Sequence, residues 1–165
     1  MSDLKAARLA PEALLWRELD AVQAGMLGIE GSGQHMQPMA HFTDQKGRRL
    51  WFLTKRESDL FRAVGQGGTA HFTITAKGQD FHACLRGRLH ERMDRGRLEA
   101  IWSRAAAARF QDKDDPELRM LALELKDAAI WASTGSALAY AWETAKANLS
   151  EGEPDVGVRN AVIFT

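Results

Sequence analysis

The chain has 165 residues, with 22 Lys plus Arg against 22 Asp plus Glu, so its formal net charge is zero with neutral histidines. One domain is expected at this length, and area scaling lets about 70% of the unfolded surface be buried, enough for a core without metals or disulfides. The charge balance leaves no domain-wide basic excess for nucleic acid, no apolar run reaches membrane-spanning length, and the single cysteine, Cys84, points to a reducing, cytoplasmic setting.

Pro11 suits the first position of a helix, and Leu15, Leu19 and Val22 then share one face at i, i+4 and i+7. Gly25 is expected to end that helix, and Gly31-Ser32-Gly33-Gln34 to form a turn. Met39–Thr43 and Leu50–Thr54 flank Gln45-Lys46-Gly47, which predicts a hairpin. Ala70, Phe72, Ile74 and Ala76 alternate with Thr69, His71, Thr73 and Thr75, the mark of a strand with one wet face. After a turn at Lys77–Asp80, Phe81, Ala83, Leu85, Gly87 and Leu89 alternate with polar residues. The spacing predicts a helix over Asp94–Phe110, an acidic break over Asp112–Pro116 and strand character at Leu121, Leu123 and Leu125 and again up to Trp131. Ser136 can cap a last helix carrying Leu138, Trp142, Ala145 and Leu149, before a short strand at Val162–Phe164. Strands at hairpin spacing with helices at both ends indicate one α+β domain over residues 1–165, and the alternation favours a small antiparallel barrel.

The common catalytic signatures are absent, so no catalytic residue is assigned. His35, His41, His71, His82 and His90 show no tight metal-ligand spacing, although His71 and His82 can meet across a hairpin; no metal is expected. Gly65-Gln66-Gly67-Gly68 reads as a turn rather than a phosphate loop. Arg86, Arg88, Arg92, Arg95, Arg97 and Arg104 read as a solvated face balanced by Glu91, Asp94 and Glu99. Cys84 reads as an inert thiol unless Arg86 or Arg88 activates it. More informative is the apolar strand Leu50-Trp51-Phe52-Leu53, which empties into Thr54, Lys55, Arg56, Glu57 and Ser58. A flat ring with an anionic tail suits such a segment, the ring edge on strand backbone and the tail on hydroxyls and cations. Ser58 also stands where a helix with Leu60, Phe61 and Val64 begins, which suits either a phosphate or a simple helix cap.

In order and spacing, Gln37-Pro38-Met39-Ala40, Leu50–Thr54 with Ser58, Leu85-Arg86-Gly87-Arg88-Leu89, Leu98–Trp102, Phe110 with Asp114–Leu118, and Ala129-Ile130-Trp131 form a series. It resembles the general stress protein group of the pyridoxamine 5'-phosphate oxidase-like, FMN-binding split-barrel superfamily, over roughly Leu15–Leu149. The resemblance implies an antiparallel Greek-key split β-barrel with flanking helices, a homodimer with its ligand sites at the interface, and FMN as cofactor of a flavin-dependent oxidoreductase. By that resemblance Phe52, Leu53 and Thr54 meet the flavin ring through backbone groups, Ser58 meets its phosphate, and Trp131 lies near the flavin, from the partner chain. Gln37 stands where relatives commonly have Arg, Leu60 where they have Lys, and Arg109-Phe110 where they have Trp-Phe. Gln37, Pro38, Lys55, Arg56 and Arg109 complete the expected cofactor site. The missing cations motivate an alternative, a degenerate split-barrel binding module without tight FMN binding, and haem or a deazaflavin is a third ligand class for the same crevice.

Overall fold

The computed structural model of the chain describes residues 4–102, 107–133, 145 and 157–165. Two helices lead in, α1 (Leu4–Leu9) and α2 (Pro11–Ala21). Pro11 sits in the first turn of α2, where a missing N–H costs nothing, and the helix buries Leu14, Leu15, Trp16 and Leu19. Val22 is already extended, and its N–H closes the helix on the Glu18 carbonyl.

Among the described residues eight antiparallel strands follow: β1 (Ala24–Ile29), β2 (Gln37–Ala40), β3 (Phe42–Asp44), β4 (Arg49–Lys55), β5 (Gly68–Thr75), β6 (Phe81–Glu91), β7 (Leu118–Ser133) and β8 (Gly157–Ile163). Helix α3 (Asp59–Val64) lies between β4 and β5, and α4 (Arg95–Ile101) between β6 and β7. The sheet runs β2-β1-β5-β6-β7-β4-β3, with β8 on β7 beyond the end of β4. Its first and last strands, β2 and β3, are consecutive in the chain and separated by His41 alone. The sheet therefore curls until its two ends meet. Beside that junction β2 approaches β4 without pairing with it. This is the split barrel, in an α+β chain.

Several elements differ from the sequence expectation. Ala24–Ile29 is a strand, not a helix end and a loop; its small residues hide the pattern, and Gly25 is needed because a Cβ there would collide with the Thr73 carbonyl and the Phe72 ring. Met39 pairs with Gly25 of β1, so the hairpin partner of β4 is the shorter β3, with Phe42 opposite Trp51. The two strand segments expected around Leu121–Leu125 and Trp131 are one sixteen-residue strand, bulged opposite Arg86 and Gly87. Helix α4 ends at Ile101 rather than Phe110, because Trp102 turns to an extended backbone. The helix expected after Ser136 lies outside the described residues, apart from Ala145.

The barrel interior holds Leu15, Leu19, Phe52, Phe72, Phe81, Leu85, Leu121 and Ile130, with Phe52 edge-on to Phe72 at 5.2 Å. A second cluster lies on the other face of β4: Trp51, Leu53, Leu98, Phe110, Leu118, Met120 and Ala122. Strand β4 is thus buried on both faces, which is why Leu50-Trp51-Phe52-Leu53 is an unbroken apolar run. Asp44 anchors the second cluster. Its carboxylate accepts from the Gly47 N–H at 3.0 Å and pairs with Arg97 of α4 at 3.0 Å, and the Trp51 indole N–H points at it from 3.5 Å. Arg49 and Arg92 each stack a guanidinium 5.7 Å from the Trp51 ring.

Candidate ligand cleft

The ladder between β4 and β7 fixes which backbone groups are free. Leu125 N–H bonds the Arg48 carbonyl and Arg56 N–H bonds the Glu117 carbonyl, so the even-numbered residues of β4 turn their backbone groups toward β7. Odd-numbered residues turn theirs the other way. Arg49 and Trp51 are covered there by β3, but β3 pairs no further than Trp51. Among the described residues the N–H and C=O of Leu53 and the N–H of Lys55 therefore lie on an edge without a ladder partner, facing the β2 side of the split.

An open cleft of about 300 Å³ lies at this edge, lined by Gln37, Pro38, Met39, Thr54, Lys55, Glu57, Ser58 and Arg109. Strand β2 supplies one wall and the end of β4 with the turn before α3 supplies the other. Thr54 is buried, and its hydroxyl bonds that of Ser58 at 2.8 Å. Ser58 Oγ also accepts from the Phe61 N–H at 3.1 Å, so it caps α3. Among the described residues neither Lys55 nor Arg109 forms an ion pair. Arg109 is carried by the segment that ends at Asp115, whose carboxylate accepts the N–H groups of Gln111 and Glu117 at 2.8 Å each. Those two bonds, with Lys55 nearby, hold the Asp115 carboxyl below its ordinary range. The result is an apolar-to-polar groove with strand-edge amides, two hydroxyls, two cations and one carboxylate.

Six of the expected site residues meet in this cleft: Gln37, Pro38, Thr54, Lys55, Ser58 and Arg109. Four do not line it. Phe52 has its side chain in the barrel core and, by the same alternation, its backbone in the ladder to Leu121. Leu53 packs its side chain in the second cluster and offers only its edge backbone. Arg56 points to solvent beside Glu57. Trp131 lies thirteen residues along β7 from Leu118, the partner of Lys55, or about 40 Å of strand. Two lining residues, Met39 and Glu57, were not among the expected site residues. Leu60, at the position where a cation was expected, is buried in the barrel core, and the Gln37 amide is 3.5 Å from the Met39 sulfur.

Outside the cleft, His71 meets Glu30 at 2.6 Å and Cys84 at 3.7 Å, whereas His82 meets Thr75, so His71 and His82 do not form a pair. Burial and Asp127 push the Cys84 thiol up against the smaller opposing effect of Arg86. Arg86, Arg92, Arg95 and Arg97 pair with Asp127, Glu124, Asp114 and Asp44 rather than with the expected Glu91, Asp94 and Glu99; Arg88 donates to the Gln66 carbonyl, and Arg104 lies outside the described residues. Gly65 and Gly67 both take positive φ in the turn before β5. Among the described residues no helix is long and apolar enough to cross a membrane, and no group of three His, Cys, Asp or Glu is placed to hold a metal.

A profile of the family described as "Pyridoxamine 5'-phosphate oxidase like" matches residues 11–155. The chain belongs to this family. Solved structures agree. A protein assigned as a general stress protein 26 from Jannaschia sp. CCS1 is 33% identical over 90% of this chain and 95% of that one, with a TM-score of 0.76. A general stress family protein from Xanthomonas campestris pv. campestris is 30% identical over 82% and 93%, with a TM-score of 0.70. The general stress FMN/FAD binding protein from Xanthomonas citri is 30% identical over 74% and 88%, with a TM-score of 0.67. No curated protein matches the chain. In this pyridoxamine 5'-phosphate oxidase-like chain the cleft sits at the split between β2 and β4, where the barrel leaves strand-edge amides unpaired.

Proposed function

We propose that the chain is a flavin-binding protein that takes FMN in the β2–β4 cleft, within a cytoplasmic homodimer. The observation that carries this reading is the juxtaposition in one cleft of a strand edge, the Thr54 and Ser58 hydroxyls, and two cations, Lys55 and Arg109, that have no ion-pair partner among the described residues. The donor set fits the group: edge amides of Leu53 and Lys55 suit the carbonyls and ring nitrogens of an isoalloxazine, and hydroxyls with guanidinium and ammonium suit a phosphate. The Xanthomonas citri relative, named for FMN/FAD binding, supports the same ligand class. Bound FMN supplies one- and two-electron redox chemistry; the protein supplies binding, orientation and electrostatics. An open cleft of about 300 Å³ is at the lower limit of small-molecule sites, and Trp131 cannot reach it within one chain. A second copy that lays its Trp131 face over the cleft would complete the enclosure.

Titration of the purified chain with FMN tests the reading through flavin absorbance and fluorescence. A spectral shift with a dissociation constant below about 100 µM is expected; silence there, equivalent to weaker than about −5.5 kcal/mol, overturns it. The double variant K55A/R109A should lose FMN affinity by at least tenfold, at about 1.5–3 kcal/mol per charge-assisted hydrogen bond, while riboflavin, lacking the phosphate, is unaffected.

The burial of Leu60 favours a second reading, a binding module with a weakened phosphate end. Its test is Gln37→Arg, which adds a cation at the cleft wall. FMN binding should then tighten by about tenfold or more; unchanged affinity removes Gln37 from the phosphate's surroundings. Leu60→Lys is a poor test, because it would place an ammonium in the barrel core.

A further inference from the structure

His41 stands where the two ends of the sheet are joined. It is the one residue between β2 and β3, and it is buried. Its Nε2–H donates to the Leu19 carbonyl in the last turn of α2 at 2.8 Å. Its ring lies edge-on to Phe72 of β5, with centroids 5.0 Å apart. Its Nδ1 is buried and has no hydrogen-bond partner among the described residues. An idle acceptor is tolerable in the neutral ring, but a proton on Nδ1 would create a buried donor and a buried charge with nothing to receive them.

The neighbouring elements offer little relief. Helix α2 presents the Leu19 carbonyl and the Asp20 carboxylate, which favour a proton, but Asp20 already accepts from the Thr43 hydroxyl at 2.6 Å. Strand β5 presents the Phe72 ring, and β4 runs past with Phe52, itself edge-on to Phe72. Strand β1 pairs alongside through Ala24 and Gly25, which carry no charge. The carboxylate of β3, Asp44, is held by Gly47, Trp51 and Arg97. Burial outweighs these favourable groups and pushes the His41 pKa down.

We propose that His41 is an acid-release latch: a proton taken up at Nδ1 frees the end of α2 from the barrel and lets β2 part from β4 along the split. Because the link is one residue long and its ring is tied to Leu19, a ring that turns out to water takes the end of α2 and β2 with it. Residues Gln37–Met39 form one wall of the cleft, so release also loosens that wall. The direction follows from linkage. Above about pH 6.5 the closed and open forms are both neutral at His41; below it the open form takes a proton that the closed form refuses, so the open population rises by up to about tenfold per pH unit.

Amide hydrogen exchange of the full chain tests this without any flavin present. Peptides over residues 14–22 and 37–43 are followed at pH 7.5 and 5.5, each corrected for the intrinsic exchange rate. The wild type should accelerate about tenfold in both peptides at pH 5.5. The His41→Gln variant keeps a donor for the Leu19 carbonyl but does not titrate, and its corrected rates should be equal at the two pH values. Equal acceleration in the variant, no acceleration in the wild type, or acceleration of residues 14–22 alone overturns the latch. Should the variant fail to fold, the histidine ring resonances of the wild type decide. A His41 midpoint below about 6.5, coincident with the onset of exchange in both peptides, supports the latch, and a midpoint at or above it overturns it.

Discussion

Asp44 does more for this fold than its size indicates. Its carboxylate is buried and draws together the β3–β4 turn through Gly47, the second core cluster through Trp51, and α4 through Arg97. Asp44→Ala leaves a buried N–H and a guanidinium unpaired; a loss of about 3 kcal/mol in urea unfolding is expected, at the low end for a broken buried pair because Arg97 is partly exposed. Cys84 makes the opposite point. It is the one cysteine and lies beside His71, yet burial and Asp127 raise its pKa, so at neutral pH it stays a thiol. Alkylation by iodoacetamide at pH 7.5 should be slower in the native chain than in urea, and a native rate exceeding the unfolded one would show an activated thiolate instead.

At the level of elements, the sequence is most legible where a strand has one wet face. The alternation in β5 and β6 is plain because Ala70, Phe72, Ile74, Phe81, Ala83 and Leu85 all face the same core. Strand β1 is hidden because Gly25 and Gly28 replace the side chains that would mark its period, so close approach took precedence over pattern. The long α4 expectation fails for a different reason: apolar spacing continues past Ile101, but Phe110 is used from an irregular segment to fill the second cluster. That segment has its own fastening. The Asp115 carboxylate receives two backbone N–H groups, and its depressed pKa means that the stabilisation is full above the unfolded carboxylate's range and is lost as pH falls through the lowered folded value. Asp115→Asn should expose residues 111–117 to limited proteolysis at pH 7, whereas the wild type should become sensitive only in acid. Equal cleavage of both at pH 7 would sink this account. The cleft inherits this dependence through Arg109, which the same segment carries.

For the whole molecule, zero net charge concealed the local question that matters, whether cations stand at the cleft. Lys55 and Arg109 answer it, and Arg109 was legible only from a family resemblance because nothing local ties it to β4. Trp131 is 41% exposed and Met26 39% exposed on strands β7 and β1, and Arg159 lies 5.8 Å over the tryptophan ring. A second copy seated on this face would bury a tryptophan next to an arginine, the residue types that dominate interface energies. Trp131→Ala should therefore weaken self-association by about thirtyfold in sedimentation experiments, for about 2 kcal/mol lost; a wild type that is monomeric at all concentrations removes the dimer. The link at His41 carries one further consequence, for the order of folding. A ring of strands whose first and last members are neighbours in sequence cannot set that junction until the strands between them have found their register. Pairing of β1 with β5 already spans more than forty residues, from Met26 to Thr73. The corner that is shortest in sequence should thus be among the last to become native, with refolding in the millisecond-to-second range of domains dominated by non-local pairing. Circular permutation that cuts the chain at His41 would leave every ladder intact and remove only the tie that makes a ring of the sheet.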